Sequence, residues 1–246
     1  MDVLSARRRA AQVALELLPA AGVVGLGTGA TTALFIEEVA RAVASGRQLK
    51  GVATSVQSRN QATSLGIPVL DDDGPWDIAV CVDGADEVSD DLNLIKGGGG
   101  SHLREKIVNA ASRVNVIIVD ELKLSRRLGE RRALPVEVAT FGHASTARHL
   151  EHWGKPQLRM KGERPWVTDG GNLIYDVQTG IIEDPARLEQ ELLGVPGVVE
   201  TGLFINRTQV LLVGTNDGVR RKERQASPPE SRVDENPRLG QGLDRA

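Results

Sequence analysis

The sequence predicts an α/β protein in which a parallel-sheet domain carries a smaller, inserted α+β domain. Two observations lead there. Short apolar runs alternate with helical patterns up to about residue 130, and from about Ala133 the order of the elements changes. Val23-Val24-Gly25-Leu26 is the first strand, and a helical pattern follows from Thr31 to Ala44 with Leu34, Phe35, Val39, Ala42 and Val43 on one side. Gly51-Val52-Ala53-Thr54 is the next strand, and Gln57 to Leu65 the next helix. Pro68-Val69-Leu70 and Asp77 to Val82 follow as strands, then a helix from about His102 to Ala111 and the strand Asn115 to Val119. Continuous apolar strands separated by helices indicate a parallel sheet covered on both faces.

The second half reads β-α-β-β-α-β, a ferredoxin-like order. Its strands are Val136-Glu137-Val138, Gln157 to Met160, Asn172 to Asp176 and Val198 to Phe204. Its helices are His143 to Trp153 and one opened by Asp184-Pro185, with Asp as cap and Pro at the first turn. Gln209 to Gly214 is a strand suited to return to the first sheet. The expected division is therefore 1–131 with 206–219, an insert over 132–205, and a tail over 220–246. The tail mixes charges, contains Ser227-Pro228-Pro229-Glu230, has no hydrophobic period and is expected to be disordered.

Composition narrows the function. The 246 residues are 40% hydrophobic and 26% charged, enough for a real core. A net charge of −3 argues against a nucleic-acid-coating protein, and 3% aromatics against a base-stacking surface. One cysteine excludes an internal disulfide framework. No apolar run reaches the roughly 18 residues of a membrane span, and the first residues lack a signal-peptide core. A soluble, cytoplasmic protein is expected.

In open α/β sheets, ligands bind beyond the carboxyl ends of the strands. The segments leaving the first-domain strands are Gly27-Thr28-Gly29-Ala30-Thr31, Thr54-Ser55, Asp83-Gly84-Ala85-Asp86-Glu87 and Asp120-Glu121-Leu122-Lys123. All four exits are polar or charged. Gly25 to Ala30 formally matches the dinucleotide pattern G-x-G-x-x-A, but the second strand ends Thr54-Ser55 without the acid that would hold a ribose. A phosphate cradle fits better, with free backbone N–H groups, a helix N-terminus and the hydroxyls of Thr28 and Thr31. A tight turn that merely needs glycine is the structural alternative. Asp83 and Asp86 place two carboxylates on one turn, where each raises the other's proton affinity; an Asx turn is the alternative.

Lys96-Gly97-Gly98-Gly99-Gly100 costs conformational entropy, so the backbone there is expected to approach something closely rather than serve as a linker. Ser101 caps the following helix, which puts Glu105 in its first turns as a candidate base. The helix N-terminus lowers its pKa by less than about one unit, whereas desolvation raises it by up to ~3–5. A closed pocket brings Glu105 toward neutrality; an open one leaves it a solvated surface residue. Cys81 alternates with valines as a core residue. His102, His143, His149 and His152 lack convincing metal-ligand spacing, and no metal is expected. Arg7-Arg8-Arg9 reads as a solvated helix face from which one arginine could reach a phosphate.

These motifs together resemble ribose-5-phosphate isomerase of type A. Gly25 to Gly29, Val82 to Glu87, Lys96 to Gly100 with Arg104-Glu105-Lys106, Leu134 to Val138, Val167 to Asn172 and Pro196 to Val199 occur in the family's order over about residues 3 to 219. The resemblance implies a Rossmann-like domain carrying a ferredoxin-like one. It implies interconversion of ribose 5-phosphate and ribulose 5-phosphate without cofactor or metal, and a homodimer. It makes Glu105 the base, Asp83 the group that helps open the furanose ring, and Lys96 with the amides of Gly97, Gly98 and Gly99 the enediolate stabilisers. Thr28, Gly29, Ala30, Thr31 and Lys123 would hold the phosphate, and Gly84, Ala85 and Asp86 the sugar. Family members usually have serine where Ala30 stands, so one hydroxyl is missing, at a cost on the order of 1 kcal/mol in affinity.

Three other readings fit less well. A sugar-phosphate-sensing regulator would need no Glu105–Lys96 pair. A coenzyme A transferase-like enzyme would want its glutamate at a strand end and would leave Lys96 to Gly99 unexplained. A dinucleotide oxidoreductase lacks its acid.

Overall fold

The computed structural model describes residues 2–225. Asp2 caps helix α1 (Val3–Glu16), its carboxylate accepting from the Ser5 amide at 3.2 Å. Ala6, Ala10, Ala11 and Ala14 form the buried stripe of α1. Side chains this small let the helix lie close to the sheet. Then follow β1 (Ala21–Leu26), α2 (Ala30–Ala44), β2 (Gln48–Ala53), α3 (Val56–Ser64), β3 (Ile78–Asp83), β4 (Glu87–Val88) and β5 (Leu94–Ile95). Next come α4 (His102–Ala110), β6 (Ser112–Asp120), a single 3₁₀ turn (Glu121–Lys123) and β7 (Leu134–Val138). The chain continues through α5 (His143–Leu150), β8 (Lys155–Leu158), β9 (Met160–Lys161), β10 (Arg164–Pro165), β11 (Leu173–Gln178) and α6 (Pro185–Leu193). It closes with β12 (Val198–Thr201), β13 (Leu203–Phe204), β14 (Val210–Gly214) and β15 (Val219–Glu223).

The main sheet has the order β2-β1-β3-β6-β14-β15 and is parallel except for β15. β14 does return to it beside β6. Val24, Leu26, Val82, Val116, Ile118 and Leu212 face the helices α1 and α2. Ile117, Val119, Leu211 and Val213 face the other way, onto Leu92, Leu94 and Phe204. That second face is covered there by a small three-stranded sheet, β13-β5-β4, rather than by a helix.

A separate antiparallel sheet has the order β12-β7-β11-β8. Leu134, Val136, Val138, Tyr175 and Val177 on one face pack with Leu150 of α5 and with Leu188 and Leu192 of α6. Its other face carries Glu137, 1% exposed.

Several elements differ from expectation. Residues 68–70 make only an isolated bridge, Gly51 to Val69, because Pro68 has no amide to donate. The tail was expected to begin at 220. Instead Arg220 to Glu223 belong to β15, which pairs with β14 and so supplies the hydrogen bonds that β14 needs on that side. The rest of that expected tail, 226–246, lies outside the described residues. The helix ending at Leu150 is one turn shorter than expected. The short strands β4, β5, β9 and β10 have no periodic signal to reveal them.

β1 and β3 approach each other closely. A Cβ at Gly25 would lie 2.8 Å from the Cβ and Sγ of Cys81. One at Gly27 would lie 2.1 Å from Asp83 Oδ1 and 2.6 Å from Asp83 Cα. Gly27 cannot back away without losing the bond from its amide to the Val82 carbonyl, 3.0 Å. Gly27→Ala is therefore expected to lower stability by ~1–3 kcal/mol, the usual cost of overpacking. Denaturant unfolding checks this, and a midpoint equal to wild type would mean that the two strands can part.

Candidate active site

The sheet order reverses between β1 and β3, and the loops that leave these strands open a crevice there, as expected at a topological switch point. The cavity is about 110 Å³. Its walls come from the β1–α2 turn, the Gly84-Ala85-Asp86 turn, the glycine run after Lys96, and Glu105 of α4.

Lys96 is the centre of the site and is 3% exposed. Its Nζ donates to the Gly84 carbonyl at 2.5 Å and lies 3.1 Å from Asp83 Oδ2 and 3.3 Å from Glu105 Oε2. The Phe204 ring lies beneath it, 5.4 Å from Nζ. Burial alone would discharge the ammonium, but Asp83 and Glu105 outweigh it and hold the Lys96 pKa above its ordinary value. Asp83 sits below the cleft floor. Burial raises its pKa, opposed by Lys96 and by the amides of Gly84 and Thr28, which donate to Oδ1 at 2.7 and 3.0 Å.

Glu105 is the least satisfied of the three. Burial, with the negative charge of Asp83 and Asp86, pushes its pKa up to about 8 against the pull of Lys96. Oε2 is buried and accepts no hydrogen bond among the described residues. The closed-pocket alternative therefore holds. A carboxylate in this state is poised to take a proton. Arg104-Glu105-Lys106 is explained by the 100° step of a helix. Arg104 points outward to Asp72 at 2.5 Å, and Glu105 points into the cleft. Lys106 points back, its Nζ 2.8 Å from Glu189 and 2.7 Å from Glu200, so α4 is tied to α6 and β12.

The other end of the cleft suits an anion. Gly29 caps α2 without a side-chain bond, so the first amides of α2 are free. The Thr31 hydroxyl has no partner among the described residues. Lys123 lines the cleft, 3.9 Å from Asp86 Oδ1. Two residues outside the expected site set, Arg7 and Thr32, also line it. Arg7 donates Nε to the fully buried Asp120 at 2.7 Å. The one signal for Arg7 in the sequence is the run of three arginines; that α1 begins over the exits of β6 and β14 is a matter of tertiary packing.

Two of the expected groups are engaged with neighbours in the protein. Thr28 lines the cleft, and its hydroxyl lies in a cluster with those of Thr54, Ser55 and Ser58 at 2.7, 2.8 and 3.2 Å, beside the second strand's exit. Gly98 gives its amide to Asp86 Oδ2 at 2.7 Å and is not part of the wall, whereas Gly97 and Gly99 are. Gly97 has φ +104°, and a Cβ there would meet the His102 ring at 2.7 Å, which is why glycine stands first in the run. Cys81 is buried, as expected. Of the histidines, His102 is fully buried and held neutral by burial, and His143 Nδ1 lies 2.8 Å from the Tyr175 hydroxyl.

The raised Glu105 pKa has a consequence for stability. Its favourable contribution is complete below the ordinary value of 4.5 and is lost as pH rises through about 8. Glu105→Gln should therefore gain in melting temperature over wild type between pH 5 and 9, with little difference near pH 4. A gap that narrows with rising pH would contradict the assignment.

The family model described as ribose 5-phosphate isomerase A (phosphoriboisomerase A) matches residues 50–218. The ribose-5-phosphate isomerase A of Limosilactobacillus reuteri (strain DSM 20016) is 42% identical over 221 residues, 89% of this chain and 97% of that protein. A solved D-ribose-5-phosphate isomerase in complex with phospho-erythronic acid superposes with a TM-score of 0.88 at 37% identity, over 91% of this chain and all of that one. The enzyme from Methanocaldococcus jannaschii gives 0.84 at 38%, over 89% and 98%. The chain belongs to the ribose-5-phosphate isomerase A family.

Proposed function

We propose that the chain interconverts D-ribose 5-phosphate and D-ribulose 5-phosphate through an enediolate, without metal or cofactor. One observation carries this reading. A buried carboxylate whose Oε2 accepts no hydrogen bond, the buried ammonium beside it and the partly positive N-terminus of α2 line a single cleft. The α2 amides, Thr31, Arg7 and Lys123 hold the phosphate. Asp86 orients the sugar hydroxyls. Asp83, with its raised proton affinity, assists opening of the furanose ring.

Glu105 then removes the proton from C2 of the open aldose. The C2–H electron pair forms the C1–C2 double bond, and the carbonyl pair moves to the C1 oxygen. Lys96 and the Gly97 and Gly99 amides stabilise that oxyanion, a contribution typically of several kcal/mol. Glu105 returns the proton to C1, the C2 hydroxyl proton passes to the C1 oxyanion as the C2 carbonyl forms, and the ketose results. The same base serves both directions. The antiparallel sheet with α5 and α6 is read as a ferredoxin-like domain inserted into the Rossmann-like one, and the setting as the cytoplasmic, non-oxidative pentose phosphate pathway.

Purified protein with ribose 5-phosphate and a chelator should form ketose. Glu105→Gln should lose at least ~10³-fold in kcat, within the range for removal of a general base. Failure of the wild type, with ribose 5-phosphate still raising the melting temperature, would reassign the chain as a binding protein. A homodimer is also expected, and a solution mass near the 26.4 kDa of one chain would contradict it.

A further inference from the structure

The glycine run is gripped from the antiparallel sheet by a side chain that takes no part in the site. Arg159 follows β8 and is mostly buried. Its Nε donates to Asp176 Oδ2 at 2.9 Å, and its Nη2 donates to Oδ1 of the same carboxylate. Asp176 belongs to β11, so this two-point pair fixes the guanidinium plane against the sheet. The remaining nitrogen, Nη1, donates to the Gly97 carbonyl at 2.6 Å and reaches the Gly98 carbonyl at 3.3 Å.

These two contacts fix the direction of two peptide planes. In a trans peptide, the carbonyl and the following N–H point opposite ways. The Gly97 carbonyl goes to Arg159, so the Gly98 amide points away from it and meets Asp86 at 2.7 Å. The Gly98 carbonyl also goes to Arg159, so the Gly99 amide points away in its turn. Gly99 lines the cleft, and its amide has no acceptor among the described residues. A run of glycines has no side chains to hold such planes. The Gly100 amide donates to the Gly97 carbonyl at 2.9 Å, but among the described residues the Gly98 carbonyl, and with it the direction of the Gly99 amide, is held by Arg159.

We infer that Arg159, locked by Asp176, is a positioning residue that aims the Gly99 amide at the oxyanion of the reaction. The inference rests on the isomerase reading above and assigns the antiparallel sheet a part in it. Arg159 touches carbonyls facing away from the cleft and is not itself catalytic.

The test uses full-length wild type, Arg159→Ala and Arg159→Lys, with three readouts. These are kcat and KM for ribose 5-phosphate, the affinity for phospho-erythronic acid as an oxyanion-bearing mimic, and the affinity for inorganic phosphate. Arg159→Ala should lose ~10²-fold in kcat, the scale of one displaced oxyanion donor, with KM changed by less than about threefold. Affinity for phospho-erythronic acid should fall with kcat while that for phosphate stays. Arg159→Lys should be impaired in the same direction, because one ammonium cannot span a carboxylate and two carbonyls, and it decides the matter if Arg159→Ala does not fold. Millimolar guanidinium should restore part of the Arg159→Ala rate. Variants matching wild type in kcat and analogue affinity would overturn the inference. So would an equal loss of phosphate affinity, which would mark a general loosening of the site. A wild type that converts no ribose 5-phosphate would instead overturn the function, and the analogue's affinity would still report on Arg159.

Discussion

A single buried ammonium organises this molecule. Lys96 draws together the carboxylate that ends β3, the carbonyl that follows it and the glutamate of α4. Two carboxylates and one ammonium leave an excess negative charge in a place with little water. Such an arrangement costs more in desolvation than it returns in attraction unless other donors help. Asp83 has that help from two amides, and Glu105 does not. The imbalance leaves Asp83 an anchored carboxylate and the Glu105 Oε2 without a hydrogen-bond donor. It also explains the glycines, since a chain that must bring the loops of β1 and β3 and the strand-end lysine to one point has no room for Cβ atoms between them.

The two sheets divide the work. The turns that leave the parallel sheet line the cleft with Thr31, Asp86 and Lys123, joined by Lys96 from the segment between β5 and α4, by Glu105 of α4 and by Arg7 of α1. The antiparallel sheet supplies grip, with Glu200 and, from the helix packed on it, Glu189 on Lys106 behind α4, and Arg159 on the glycine run. Glu105 and the glycine run are therefore held from the side opposite the cleft. A rigid rear support of this kind gives precision that loop residues alone do not have.

Much of this was legible in the sequence. Glycines and acids after β1 and β3, and the run from Lys96 to Glu105, mark the site because charged and flexible residues at strand exits have few structural excuses. What the sequence withheld has physical causes. The orientation of the Thr28 hydroxyl depends on which neighbours it finds, and Thr54, Ser55 and Ser58 arrive from a different strand. Which glycine of the run turns its amide to the cleft and which to Asp86 depends on peptide direction, which no residue type encodes. Arg7 and Arg159 reach their targets across long sequence separations, with nothing local to mark them. β15 was hidden because its residues are charged, as suits an edge strand exposed on one side.

The close approach of β1 and β3 also constrains how such a protein can change over generations. Gly25 and Cys81 are direct partners in register, with space for one side chain between them. A larger residue at 25 needs 81 to have become glycine, because the Cβ of Cys81 as well as its sulfur stands in the way, whereas 81 can shrink at any time at the modest cost of a small cavity. The order of substitutions is therefore fixed by geometry, and the two positions should be strongly epistatic. The same history-dependence applies with more force to Gly27, whose partner Asp83 is not free to become smaller. One strand pair thus contains both a position with a route to variation and a position without one.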